Sequence, residues 1–217
     1  GHLRDHLQLR TGRVSLAALP SLAAGWLPAI LAEYKVQWPG VELNLHDSLS
    51  DDCLDLLRGG VVEFALASTG AHSAGLQTEV LCSDGFHLVC RKDHPLAKRK
   101  TAELKLKDLT PYPFVHLARN SSVRQRLDAA LHPMQLNTVL EVEHLATVAG
   151  MVEAGLGISV VPALTLFHFQ RPALVTRALK LAGLKRRIYV VQREGESLSV
   201  AAQALRQLII KRLKQST

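Results

Sequence analysis

MVEAGLGISVVP, Met151 to Pro162, is the stretch from which the fold can be read. It follows EHLATVAG, so an amphipathic run feeds straight into it. Leu145, Val148, Ala149, Val152 and Leu156 recur at helical spacing and predict one apolar face from about His144 to Ala154. Gly155 stands where a helix ends in a left-handed residue, a conformation that glycine adopts without steric cost. Gly157 adds a second flexible point. Ile158 to Val161 is short and rich in β-branched residues, which predicts a buried strand. Pro162 has no N–H to give a ladder and should end it. Helix, Gly-x-Gly turn and buried strand together predict half of a crossover unit in a mostly parallel sheet.

Length and composition fit that reading. The 217 residues are 47% hydrophobic and 21% charged, enough for one large or two small cores. No run of about 18 apolar residues occurs, so no membrane partner is expected. GHLRDHLQLR lacks the apolar centre of a secretory signal. Gly1 and His2 read as a scar, and the chain as a fragment. His2 and His6 stand four apart, but no metal site is expected there. Cys53, Cys82 and Cys90 form no C-x-x-C pair, which suits core packing in a reducing compartment. The net charge of +7 permits an anionic partner. Basic residues are scattered apart from Lys98–Lys100 and Lys185–Arg187. With aromatic residues at only 5%, a stacking platform for single strands is not expected.

Outward from the opening stretch, strands and helices alternate. RVSLAAL, Arg13 to Leu19, predicts a first strand. Leu22 to Gln37 follows as a helix with Ser21 as N-cap and Pro28 in its opening turns. Val41 to His46 alternates as a strand with one exposed face. Ser50 is expected to cap DDCLDLLRGG, whose early aspartates suit the positive end of a helix. Glu63 to Ala67 predicts a third, buried strand. This order is doubly wound. Leu76 to Arg91 reads as two extended segments broken at Asp84–Gly85. Asp93 to Ala97 is a turn and Phe114 to Leu117 a strand. Ser121 or Ser122 caps the helix VRQRLDAALH, and Thr138 to Glu143 is another strand. After Pro162, strands are expected at Leu174 to Lys180 and Ile188 to Arg193, with a last helix from Leu198 to about Leu213.

In this order the pieces GRVSL, Pro20–Ser21, Trp26–Leu27–Pro28, WPGVEL, SDDCLDLLRG, EFALA, DHPLA, KDLTPYPFV, SVRQRLD and MVEAGLGISVVP resemble the effector-binding domain of LysR-type transcriptional regulators. The resemblance covers nearly the whole chain. DHPLA followed by V-x-A-G-x-G-I-x-x-x-P is its most specific part. Glu63 departs from it, since the family usually carries Asp there. The resemblance implies an α/β fold of two Rossmann-like lobes joined by two crossover strands, the type 2 periplasmic-binding-protein fold. Residues 1–12 would be the scar and the end of a linker helix. Residues 13–84 plus 163–217 would form lobe I, and 85–162 lobe II. The expected function is effector sensing and dimerisation for a bacterial, cytoplasmic regulator. The expected effector is a small carboxylate. The chain would form a homodimer or tetramer and reach operator DNA only through a winged helix-turn-helix ahead of this domain. Alternatives are a free-standing solute-binding protein, disfavoured by the odd cysteines and missing lipobox, and a small α/β enzyme.

No G-x-S-x-G, H-E-x-x-H, P-loop or G-x-G-x-x-G is present, so no catalytic residue, cofactor or metal is assigned. His87, His116 and His144 lie on or beside strands without a carboxylate at fixed spacing, which favours structural or solvated roles. Binding has more support. In open α/β sheets ligands sit at strand C-terminal ends, where helix N-termini offer free N–H groups to a carboxylate. Pro20, Ser21 and Leu22 follow the first strand, and Ser68 and Thr69 the third. Arg119, Asn120 and Ser121 precede one helix of the second half, and His144 and Leu145 start another. The resemblance places these residues, together with Val161, around an inter-lobe pocket. Plain capping is the simpler role for Ser21 and Ser121, and a solvated loop position for Arg119.

Overall fold

The computed structural model describes residues 2–68, 74–100, 104–180 and 183–216. Helix α1 (His2–Thr11) leads into β1 (Arg13–Ala18), α2 (Pro20–Gly25), α3 (Leu27–Gln37), β2 (Glu42–Asp47), α4 (Ser50–Arg58) and β3 (Phe64–Ala67). Then come β4 (Leu76–Arg91), β5 (Pro113–Leu117), α5 (Ser122–Leu131), β6 (Asn137–Val142), α6 (Leu145–Glu153) and β7 (Ser159–Pro162). The chain closes with β8 (Leu174–Leu179), β9 (Lys185–Arg193) and α7 (Val200–Ser216). It divides into two compact units: unit 1 is Gly1–Ser83 with Arg187–Thr217, and unit 2 is Asp84–Arg186.

In unit 1, β1 pairs in parallel with both β2 and β3, and β9 joins β3 antiparallel. The core strands are wholly apolar where they must be. Val14, Leu16, Ala17 and Ala18 of β1 and every residue of β3 have no exposed surface. Cys53, Leu54 and Leu57 of α4 pack beneath them with Val62 and Val191. Arg193 closes the end of α4 by donating to Leu57 O at 2.6 Å and Val62 O at 3.0 Å. Glu63 has a defined task. Its carboxylate accepts from the Ser199 N–H at 3.3 Å and hydroxyl at 3.2 Å, while Ser199 Oγ accepts from Ala202 N at 3.2 Å. Ser199 thereby caps α7, and Glu63 holds the cap.

The expected long helix after β1 is two helices. Pro28 has no N–H for an interior helical bond and its ring crowds the carbonyl four residues back, so the chain breaks at Trp26. Pro28 then lies in the first turn of α3, where proline is tolerated. The caps also shift. Leu19 precedes α2 and Leu49 precedes α4, neither making a side-chain cap bond, so Ser21 and Ser50 are inside the first turns.

In unit 2, β4 pairs antiparallel with β7 and with β8, and β5 pairs in parallel with β6. The MVEAGLGISVVP stretch forms α6, a turn with Gly155 at φ 85°, and β7 with all four residues buried. Its strand direction differs from the mostly parallel expectation. Only Ile158 bridges to β5 in parallel; from Ser159 onward the strand runs antiparallel to β4. Leu156 lies past the helix end and is exposed. Ser121 caps α5, its Oγ accepting from Val123 N at 3.2 Å.

Asp84 does not break the chain; β4 is one strand of 16 residues through it. Asp84 is 3% exposed, accepts from Arg186 Nη2 at 2.9 Å and from Leu164 N at 3.1 Å, and so needs no turn to reach water. Burial pushes its carboxyl up from the ordinary value against the pull of Arg186. Asp84 and Arg186 are the first and last residues of unit 2, so this ion pair ties together the two places where the chain passes between units. The segment 163–186 was expected with the first lobe. It belongs to unit 2, because β8 forms a ladder with Phe86–Arg91 of β4 from Leu179 back to Leu174.

Candidate functional site

Unit 1 offers the turn between β1 and α2. Leu19 N donates to Leu66 O at 3.1 Å and Ser48 N to Ala18 O at 3.0 Å, which draws the three strand ends together. Pro20 is exposed, whereas Ser21 and Leu22 are buried. The N–H groups of Leu22 and Ala23 both go to Leu19 O, and Pro20 has none, so this helix start has little donor capacity to spare. Ser68 is half-buried and its N–H is held by Ser50 Oγ at 3.1 Å. Thr69 lies outside the described residues.

Unit 2 offers two adjacent helix starts, in which Val123 N goes to Ser121 Oγ and the N–H groups of Thr147 and Val148 both go to His144 O. β5 and β6 are adjacent and parallel, and each runs into a helix. Ala118 N donates to Val142 O at 3.0 Å, which sets the 118–121 turn beside the 143–145 turn. Arg119, Asn120 and His144 are exposed, Leu145 is half-buried, and Ser121 is buried at the cap. His144 precedes α6 without a side-chain cap bond. The structure thus brings Asn120, Ser121, His144 and Leu145 together within one unit. Val161 differs from these; it is 1% exposed and part of the hydrophobic core of unit 2.

A cavity of about 540 Å³ opens beside α5. His116, Arg119, Arg124, Asp128 and Glu141 line it, with His132, Gln135 and Thr138 as further polar residues. Arg124 is 8% exposed and donates to Asp128 Oδ2 at 2.9 Å, Leu117 O at 2.8 Å and Glu141 Oε1 at 3.2 Å. His116 Nε2 lies 3.4 Å from Asp128 Oδ1. Burial, then the charge of Arg124, pushes the imidazole down to about 4, so it is neutral near pH 7. Of this set, the sequence points to Arg119 as a ligand contact and to His116 only as a structural or solvated residue. Arg124 and Asp128 carry a visible i,i+4 spacing, but Glu141 reaches them through a strand pairing that no local pattern announces.

The remaining residue types carry less chemistry. All three cysteines are free and buried, and burial raises Cys53 to about 12 and Cys90 to about 11, which suits packing. Among the described residues no group of three His, Cys, Asp or Glu could hold a metal, and no helix is long and apolar enough to cross a membrane. In the DHPLA turn, His94 Nδ1 accepts from Leu96 N at 3.1 Å and Asp93 pairs with Arg91 at 3.0 Å. That motif is structural.

Comparison with known proteins agrees with this architecture. The family described as LysR substrate binding domain matches residues 7–214, and the chain belongs to it. The HTH-type transcriptional regulator YfeR of Shigella flexneri is 32% identical over 206 residues, covering 91% of this chain and 64% of that protein. The chain spans about two-thirds of the length of such curated relatives. The effector-binding domain of QuiR in complex with shikimate superposes with a TM-score of 0.80 at 17% identity, covering 94% of this chain and 98% of that one. The regulatory domain of Synechocystis PCC6803 CcmR in complex with 2-PG gives 0.83 at 21% identity, covering 93% and 97%. The fold is therefore the type 2 periplasmic-binding-like fold of LysR regulatory domains.

Proposed function

We propose that this chain is the effector-sensing and dimerisation domain of a cytoplasmic LysR-type regulator, and that its effector is a small carboxylate. The observation that carries the reading is the pair of helix starts after β5 and β6, at Asn120–Ser121 and His144–Leu145, set side by side at the ends of parallel strands. Such starts present partial positive charge and N–H groups to an anion. Domains of the same fold are described with shikimate and with 2-PG. The ligand contacts proposed in unit 1 are Pro20, Ser21, Leu22, Ser68 and Thr69, and those in unit 2 are Arg119, Asn120, Ser121, His144 and Leu145. Val161 is a core residue of unit 2 and not a direct contact. The chain senses its ligand without transforming it, by favouring one of two arrangements. Operator DNA is read through a helix-turn-helix segment of the whole regulator. Dimer contacts fall to α3 and α5; light scattering reads that state. On α3, Tyr34 faces the interior of unit 1, 1% exposed with its hydroxyl donating to Ala201 O at 2.8 Å.

The test is a thermal-shift panel of small carboxylates followed by calorimetry of the best hit on wild type and Ser21→Ala. A hydroxyl donating to a charged acceptor contributes about 1.5–3 kcal/mol, so the variant should bind roughly ten- to hundredfold more weakly. Leu19, not Ser21, is the N-cap of α2, so no helix-cap loss accompanies the substitution. Unchanged affinity would remove Ser21 from the site. A panel in which no carboxylate raises the melting temperature would sink the effector class.

A further inference from the structure

The cavity beside α5 has a chemistry that a carboxylate site does not need. Arg124 is fixed by three acceptors, but these occupy only Nε and Nη1. Among the described residues Nη2 has no partner, and Arg124 lines the cavity. Arg119 lines it too. Two carboxylates line it as well: Asp128 and Glu141 pair with Arg124 at 2.9 and 3.2 Å, their side chains are 51% and 47% exposed, and Glu141 spends only Oε1 on Arg124. His116 adds a neutral ring. Two cations and two anions thus share one depression of a size that holds a small molecule.

That balance selects among ligands. A simple anion would gain from Arg119 and Arg124 but meet Asp128 and Glu141. A simple cation faces the reverse. A molecule with both charges a bond or two apart meets a partner for each among these interleaved groups. Leu131, Met134 and Leu136 supply an apolar flank for a side chain.

We propose that this cavity is a second ligand site, for a small zwitterion of the α-amino acid class. The ligand carboxylate would accept from Arg124 Nη2 and Arg119, and its ammonium would donate to Glu141 and Asp128. The inference does not rest on the effector reading, and it assigns a different ligand class to a different set of side chains, Arg119 excepted.

The experiment is calorimetric titration of this chain with individual α-amino acids. Each is paired with its decarboxylated amine and its deaminated acid. At least one amino acid should bind saturably, and both truncated partners should bind at least about tenfold more weakly, as expected for losing a charged hydrogen bond. Glu141→Gln should weaken the amino acid about tenfold as well. Glu141 sits on the exposed strand β6 and a melting curve checks that the variant folds. Ser21→Ala should leave this binding unchanged, which separates it from the effector site. Three results would overturn the proposal. One is no saturable heat from any amino acid up to about 10 mM, the range of weak binding. Another is a deaminated acid that binds as well as its parent, which would make the cavity a plain anion site. The last is a Glu141→Gln variant whose only change is a shifted monomer–dimer balance in light scattering, which would make this face a contact with a second copy.

Discussion

Unit 1 and unit 2 are similar in size but differ in how they use polar residues. Unit 1 carries 11 Lys and Arg against 11 Asp and Glu, whereas unit 2 carries 15 against 8, so the whole +7 belongs to unit 2. Buried polar groups divide in the same way. Ser21 is in unit 1; Asp84, His116, Ser121, Arg124, Ser159, Thr165 and Arg186 are in unit 2. Unit 1 has a mostly parallel sheet whose core is apolar. Unit 2 has charge built into its interior, where each group must be matched because an unmatched one is costly. A pattern of apolar periodicity can specify the first kind of interior. The second kind depends on partners far apart in the chain.

Substitutions can break that contrast. The largest effect should come from Asp84→Ala, which leaves Arg186 buried without its carboxylate and should cost about 3–5 kcal/mol. Replacing both residues by apolar ones of similar volume should cost much less. Chemical denaturation of the single and double variants measures the difference. Equal losses would show that the pair is not the reason for the cost.

Acid should come next, again through unit 2. His116 is held at about 4, below the ordinary imidazole value, so an unfolded chain binds a proton that the folded one refuses. This contribution is fully present above about pH 6.5 and is lost as pH falls toward 4, amounting to about 3 kcal/mol. His116→Gln should flatten that part of the stability curve. A wild-type curve already flat between those pH values would contradict the assignment.

In unit 1 the comparable polar device is at the surface of α7, and its removal should cost less. Glu63→Ala frees the Ser199 N–H and hydroxyl at the start of α7 and should cost about 1 kcal/mol. Ser121→Ala, the equivalent cap loss in unit 2, should fall at or just below that. A loss at Glu63 as large as that at Asp84 would erase the contrast between the units.

The residues legible from sequence were those whose reasons are local. Gly155 ends α6, Ser121 caps α5 and the apolar face of α6 is buried, all from contacts within a few positions. The rest required distant chain. Asp84–Gly85 has the composition of a turn, but Asp84 is matched by Arg186, 102 positions away, and Leu164, 80 away, and the strand that follows pairs with β7 and β8. The direction of β7 is set by β4, not by anything in ISVVP. Pro28 was noted, yet whether a proline opens one helix or separates two depends on how the chain leaves β1. The cavity wall joins β5, α5 and β6, so spacing alone shows only its Arg124–Asp128 edge.

Helix α1 packs against α7, and at Gly40 its last turn touches the body of unit 1 so closely that a Cβ would fall 1.7 Å from Arg10 O. Mechanically this is a seat without slack. Ten residues of helix span about 15 Å, so a tilt of about 10° at the seat swings the far end by about 2.6 Å. A side chain at position 40 would unseat the helix and change the direction of its exposed end.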